Sequence, residues 1–299
     1  MIMKRFFLLM AAMLSLSWSC NAKNKVEHIV IIGLDGWTAK SWKAADMPFT
    51  KAIAENGAYT LHKRSIIPSS SGANWATIFM GAGPESHGYT TWYSKSPDVP
   101  SLELNGHSIF PNFFSLCREK YPEAEMGLIY QWIGMRATSD TLAFSMEKKF
   151  DGTPEGTDEM CDFVCSYIKE KKPLVTFAVW DYPDKVGHAF GWLTPEYYEE
   201  LAHLDKVVEK VFAAVEEAGI AKNTTIMIVA DHGGKDKKHG KVSPDEMEAM
   251  LILSGRNIRK VGEMHSPIRN FDVAPTLALL MGLPTPKIWY GTPIVEALK

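Results

Sequence analysis

The sequence predicts an α/β fold, a mostly parallel central sheet with helices on both faces. Three observations predict it. Short apolar runs alternate with longer segments of helical spacing. The runs lack the in/out alternation of a half-solvated strand, as strands covered on both sides should. Three of the five runs also end in Asp or Asp-His, and functional groups in open parallel sheets collect at strand carboxyl ends.

The strands expected in order are HIVIIGLDG (His28–Gly36), MGLIY (Met126–Tyr130), PLVTFAVWD (Pro173–Asp181), TTIMIVAD (Thr224–Asp231) and AMLILSG (Ala249–Gly255). The helices expected between them are MPFTKAIAENG, TDEMCDFVCSYIKEKK, TPEYYEELAHLDKVVEKVFAAVEEAG and FDVAPTLALLMG. The first, third and fourth close on Gly, and the third opens with the Thr-Pro-Glu start signal. A further helix is expected from near Ala73. The stretch 94–108, SKSPDVPSLELNGHS, is loop-like and a candidate for a small cap or lid.

The 299 residues are 46% apolar and 22% charged, enough for a substantial core and most simply one large domain. Net charge is −3, and no Lys/Arg run is long enough for a nucleic-acid or polybasic membrane surface. Residues 1–19 read as an export signal: Lys4 and Arg5, an apolar stretch from Phe6 to Leu16, then Ser-Trp-Ser before Cys20. The ending resembles a bacterial lipoprotein signal, so the expected membrane link is a lipid anchor on Cys20, with simple cleavage nearby as the alternative. The mature domain is then 20–299, with 30 basic against 35 acidic residues, in the periplasm or cell envelope. No later run approaches the roughly 20 apolar residues a membrane span needs. Cys117, Cys161 and Cys165 lack a metal-binding spacing and read as buried thiols, a disulfide among them remaining open.

The chemistry lies at the strand ends. Asp35 follows the first strand, Asp181 and Asp184 the third, and Asp231-His232 the fourth. Asp184 and His188 stand at i and i+4, on one side of a helical turn where they can share a cation. Alone, that pair is equally a helix cap and a solvated histidine, and an Asp-His-Gly after a strand is equally turn chemistry. With Asp35 and His239 the set reaches three Asp and three His, a donor set for two divalent ions. In IIPSSSGANWATIFMGAG, Ser69, Ser70 and Ser71 precede a helix, where a hydroxyl either caps the helix or acts as nucleophile in the field of its N-terminus.

GLDG, PSSSGANWATIFMGAGPESHG, YPDKVGHAFG, VADHGGKDKKHG and FDVAPTLALLMGLPTP occur in the order of the alkaline phosphatase superfamily, and the chain resembles its nucleotide pyrophosphatase and type I phosphodiesterase branch. The resemblance implies an alkaline-phosphatase-like fold and two zinc ions, one on Asp184, His188 and His239, the other on Asp35, Asp231 and His232. It puts Ser71 in the nucleophile position, implying a covalent phosphoserine intermediate, and His87 in a supporting one. The branch usually carries an Asn shortly after the His-Gly pair, donating to a phosphate oxygen; this chain reads HGYTTW. Thr91, Asn74 or a backbone N–H are the expected substitutes. The aromatic residues Trp75 and Trp92 are expected to face the substrate, although Trp75 at i+4 from Ser71 is equally a core residue.

The function expected is hydrolysis of small-molecule phosphodiester or nucleotide pyrophosphate bonds, with a phosphomonoesterase the nearest alternative. Monoester dianions call for an extra cation, and the nucleophile segment supplies only Arg64 upstream. A sulfatase would need Arg where Trp75 stands. A decayed binding lipoprotein would be expected to have lost ligands, yet all six are present.

Overall fold

A computed structural model describes residues 26–299; residues 1–25, with the signal and Cys20 expectations, lie outside the described residues. Eight strands form one sheet: β1 (His28–Leu34), β2 (Ala58–Arg64), β3 (Met126–Tyr130), β4 (Met146–Lys149), β5 (Val175–Trp180), β6 (Thr224–Val229), β7 (Glu248–Gly255) and β8 (Gly262–Glu263). Their order is β4-β3-β5-β1-β6-β7-β2-β8. β7 runs antiparallel to both its neighbours; every other pairing is parallel.

Alternation along β1 explains how one strand serves two cores. Ile29 and Ile31 join one apolar cluster with Trp75, Phe79, Phe114 and Phe177; Val30, Ile32 and Leu34 join the other. The helices covering the first face include α2 (Ser71–Met80) and a C-terminal helix over Val273–Met281. The second face carries α1 (Pro48–Glu55), a helix over Pro154–Lys171, and the long helix Pro195–Glu217, whose Leu201, Leu204, Val208 and Val211 are buried. Thr153 and Thr194 start the last two by accepting backbone N–H bonds, each followed by Pro at the first helical position.

All five expected strands form. The sequence did not signal β2, β4 or β8. β4 reads MEKK and lies at the sheet edge, where charged side chains block pairing with another chain. The 94–108 stretch holds no helix or strand, and its Ser94 bonds Thr91, a wall of the cavity described below. Cys117 and Cys161 are buried on opposite faces of the sheet, Cys165 is half-buried, and all three are free thiols. Among the described residues no helix is long and apolar enough to cross a membrane.

The arrangement has one decisive consequence. β5, β1 and β6 are central, adjacent and parallel, so the residues that follow them emerge side by side at one edge.

Candidate active site

Asp35 directly follows β1, Asp181 directly follows β5, and Asp231 lies two residues past β6. Gly36 turns the chain after Asp35 with φ +68, and a Cβ there would stand 2.9 Å from an Asp184 carboxylate oxygen. A side chain at 36 would both strain the turn and push Asp184 away. The helix Tyr182–Phe190 carries Asp184 and His188 on one side.

Two groups of potential metal ligands result: Asp184, His188 and His239; and Asp35, Asp231 and His232. Within each, one ligand atom per residue lies within 4.8 Å of the others. His188 Nε2 is 3.4 Å from Asp184 Oδ2 and His239 Nε2 is 3.6 Å from Asp184 Oδ1. His232 Nε2 is 3.3 Å from Asp231 Oδ2 and 3.6 Å from Asp35 Oδ1. Asp35 also groups with Asp181 and Asp184.

The donor chemistry fits divalent cations. Nδ1 of His188, His232 and His239 lies 2.9, 2.8 and 2.8 Å from the carbonyls of Lys237, Gly233 and Ser69. A carbonyl only accepts, so each Nδ1 carries the proton and each Nε2 presents its lone pair to the carboxylates. Asp184 Oδ1 and Asp231 Oδ2 are buried with no hydrogen-bond partner, a cost that cation ligation removes. Burial, then the neighbouring acids, raises Asp35 and Asp184 well above the usual carboxylate range, and burial raises Asp231 to about 6. Burial lowers His232 and His239 to about 3, so both are neutral ligands at ordinary pH.

Ser71 is the first residue of α2. Its Oγ lies 3.1 Å from His232 Nε2 and 3.4 Å from Asp35 Oδ1. The other serines differ. Ser69 Oγ donates to the Lys241 carbonyl and accepts from Gly240 N–H, bracing the His239 loop. Ser70 is the N-cap but makes no capping bond through its side chain.

A cavity of about 700 Å³ opens onto the site; Ser71, Asp184, His188, Thr91, Trp92 and Trp132 are among its walls. Trp92, 62% exposed, stacks on Tyr93 with centroids 5.3 Å apart, and Tyr93 touches Trp132 at 6.1 Å.

Two expectations need correction. Trp75 does not face substrate: it is fully buried, stacks on Phe79, and donates its indole N–H to Asp35 Oδ2 at 2.8 Å. Asn74 does not face the cavity either. Its amide donates to the Pro68 and Ser70 carbonyls and accepts from Ile66 N–H and Asn270 Nδ2, leaving nothing for a phosphate. Thr91 does line the cavity, but its hydroxyl pairs with Ser94. His87 is buried between Thr77 and Tyr89, a supporting position. Arg64 pairs with Glu248 and is not among the cavity walls.

Sequence reasoning left out three residues. Asn270 donates to both Asn74 Oδ1 and the Asp231 carbonyl, joining the nucleophile segment to the strand-end ligand. Its own oxygen accepts from the fully buried Lys63. Lys185 lines the cavity and pairs with Asp181 at 3.2 Å; the spacing of Asp181 and Lys185, i and i+4, was the available signal.

Residues 29–274 match the type I phosphodiesterase / nucleotide pyrophosphatase family. The chain belongs to that family. Human ectonucleotide pyrophosphatase/phosphodiesterase family member 1 is 23% identical over 235 residues, covering 74% of this chain and 25% of that protein. The chain spans about a quarter or less of the length of the curated relatives it matches. Among solved structures, an inactive murine ectonucleotide pyrophosphatase/phosphodiesterase 5 in complex with AMP superposes with TM-score 0.73 at 13% identity, covering 91% of this chain and all of the other. A variant of the alkaline phosphatase PafA gives TM-score 0.75 at 11% identity, covering 92% and 99%. The fold is therefore alkaline-phosphatase-like, and the family is one of enzymes acting on phosphate esters.

Proposed function

We propose that this family member is an exported two-metal hydrolase that cleaves phosphodiester or nucleotide pyrophosphate bonds through a covalent phosphoserine at Ser71. The observation that carries the reading is the position of Ser71 Oγ, 3.1 Å from His232 Nε2 and 3.4 Å from Asp35 Oδ1, on a cavity wall and at the start of a ten-residue helix.

Asp184, His188 and His239 would hold one cation and Asp35, Asp231 and His232 the other, and a mixed carboxylate and imidazole set suits zinc. When bound, the cations supply Lewis-acid stabilisation of a serine alkoxide and of charge on the departing oxygen. Ser71 Oγ attacks phosphorus, and the bond to the departing alcohol or phosphate breaks. Water then cleaves the serine phosphate, returning the hydroxyl and releasing the phosphoryl product. The α2 N-terminus favours the anionic group throughout. Trp92, Tyr93 and Trp132 offer aromatic surface for an aryl or nucleoside group. Lipidation at Cys20 would keep the domain at the envelope.

A phosphomonoesterase is the second reading, favoured by Lys185, a cation on the cavity wall. A side-by-side assay of aryl phosphate diester, monoester and sulfate esters with zinc supplied separates these. The diester is expected to turn over fastest, activity to vanish on chelation and to return with zinc. Preference for the monoester or sulfate, or full activity after exhaustive chelation, overturns the reading.

A further inference from the structure

The stretch HGYTTW carries no Asn, and two of the donors the sequence offered for a phosphate oxygen, Asn74 and Thr91, are engaged elsewhere. Asn74 spends both amide hydrogens on Pro68 and Ser70 carbonyls, and Thr91 pairs with Ser94. Ser94 in turn bonds Asp98, which also takes the Thr90 hydroxyl and backbone N–H. Gly72 N–H is held by the Trp92 carbonyl at 3.1 Å. Each is a fixed donor already satisfied, and turning it to a ligand would break an existing bond.

Lys185 differs on each count. Among the described residues it is the one lysine or arginine lining the cavity that Ser71 lines. It sits on the helical turn between Asp184 and His188, and its side chain is 46% exposed. Its ammonium has three donors on a flexible stem. Its contacts are Asp181 Oδ2 at 3.2 Å and the Gly152 carbonyl at 3.3 Å, both longer than the usual charge-assisted bond. Asp181 is itself buried at the edge of the carboxylate cluster, grouped with Asp35 and Asp184.

The geometry points to Lys185 as the substrate-recognition residue of this site: its ammonium rests on Asp181 and turns to an anionic oxygen of the bound phosphate group. This rests on the phosphate-ester reading above and adds a residue and a charge preference to it. Coulomb energy scales with the product of charges, so a dianionic monoester gains about twice what a monoanionic diester gains from the same ammonium.

Lys185→Met and Lys185→Arg test it, with inorganic phosphate as the binding probe, read by calorimetry on the zinc-loaded protein. Lys185→Met is expected to keep the wild-type metal content and to bind phosphate at least about tenfold more weakly. Its kcat/KM should fall about tenfold on an aryl diester and about a hundredfold on the matching monoester. Lys185→Arg should recover most of both. Asp181→Asn, which leaves the ammonium but removes its resting partner, should bind phosphate as tightly as wild type or tighter. Unchanged phosphate affinity in Lys185→Met, loss of metal from it, equal loss on the two esters, or weaker phosphate binding by Asp181→Asn would each overturn the assignment. Phosphate binding requires no turnover, so a wild-type protein inert on both esters sinks the hydrolase reading while the binding arms still decide Lys185.

Discussion

Trp75 and Ser71 stand one helical turn apart on α2 and address the two oxygens of one carboxylate: the Trp75 indole N–H donates to Asp35 Oδ2 at 2.8 Å, and Ser71 Oγ lies 3.4 Å from Asp35 Oδ1. The nucleophile's helix and the end of β1 are thereby fixed against each other by a buried, charge-assisted bond. Trp75→Phe keeps a ring near Phe79 but leaves Asp35 Oδ2 without its donor. The expected cost is about 1–3 kcal/mol of stability, read by urea denaturation, together with weaker metal binding. A variant unchanged in both would detach Trp75 from the site.

Ser71→Ala removes the atom proposed to bond phosphorus and leaves the six ligand side chains in place. Turnover should fall by about three orders of magnitude or more while metal content, measured by emission spectrometry, stays at the wild-type level. Near-normal turnover would move the role to Ser70, whose hydroxyl is buried without a partner, or to a metal-bound hydroxide.

His239 and His265 both lie downstream of Asp231-His232 in the sequence; in the fold they are far from equivalent. His239 stacks on His232 with ring centroids 3.8 Å apart, whereas His265 is exposed and bonds Glu296 through its backbone N–H. His239→Ala should lose about one metal equivalent and His265→Ala none. The reverse pattern would refute the first ligand group.

Metal uptake should release protons most strongly in mild acid. Asp231 is raised from 3.8 to about 6, so its protonation stabilises the metal-free fold fully below pH 3.8, and that contribution is lost as pH rises through about 6. His232 and His239, lowered to about 3, act in the opposite sense: their stability is present above pH 6.5 and lost as pH falls through about 3. At pH 5.5 a cation must therefore displace protons from Asp231 and from Asp35 and Asp184, which are raised in the same direction, but none from the two histidines. Zinc titrations in two buffers of different ionisation enthalpy should show greater proton release at pH 5.5 than at pH 8. Release that grows towards pH 8 would assign the titration to other groups.

Legibility followed burial. β1, β5 and β6 were readable because both their faces are covered, leaving unbroken apolar runs ending in acids. The convergence of those acids was readable because the three strands are adjacent and parallel. β2 was not readable, since Lys63, a residue that ordinarily marks a solvated face, is fully buried on it against Asn270. Asn74 misled for a related reason. Its spacing from Ser71 was informative, but its short side chain is spent on local carbonyls, which spacing does not reveal. Lys185 carries no sequence signal beyond its i, i+4 spacing from Asp181, and only the cavity gives it a direction.

Trp92 offers the test of substrate class. A diester or a nucleotide carries a second group that must rest on something, and an aromatic face contributes roughly 1–3 kcal/mol per stacked base. Trp92 is 62% exposed at the cavity and stacks on Tyr93. Its removal deletes no buried contact, so folding stability should hold. Its Gly72 contact runs through the backbone carbonyl, which alanine retains. Trp92→Ala should therefore lower kcat/KM at least about tenfold for an aryl or nucleotide diester, which is about 1.4 kcal/mol, and leave a small monoester such as methyl phosphate nearly unchanged. The comparison is internal to one variant, so expression and metal loading cancel. Equal impairment on both substrates would mean that the ring shapes the site rather than holding the second group, and would promote the phosphomonoesterase reading.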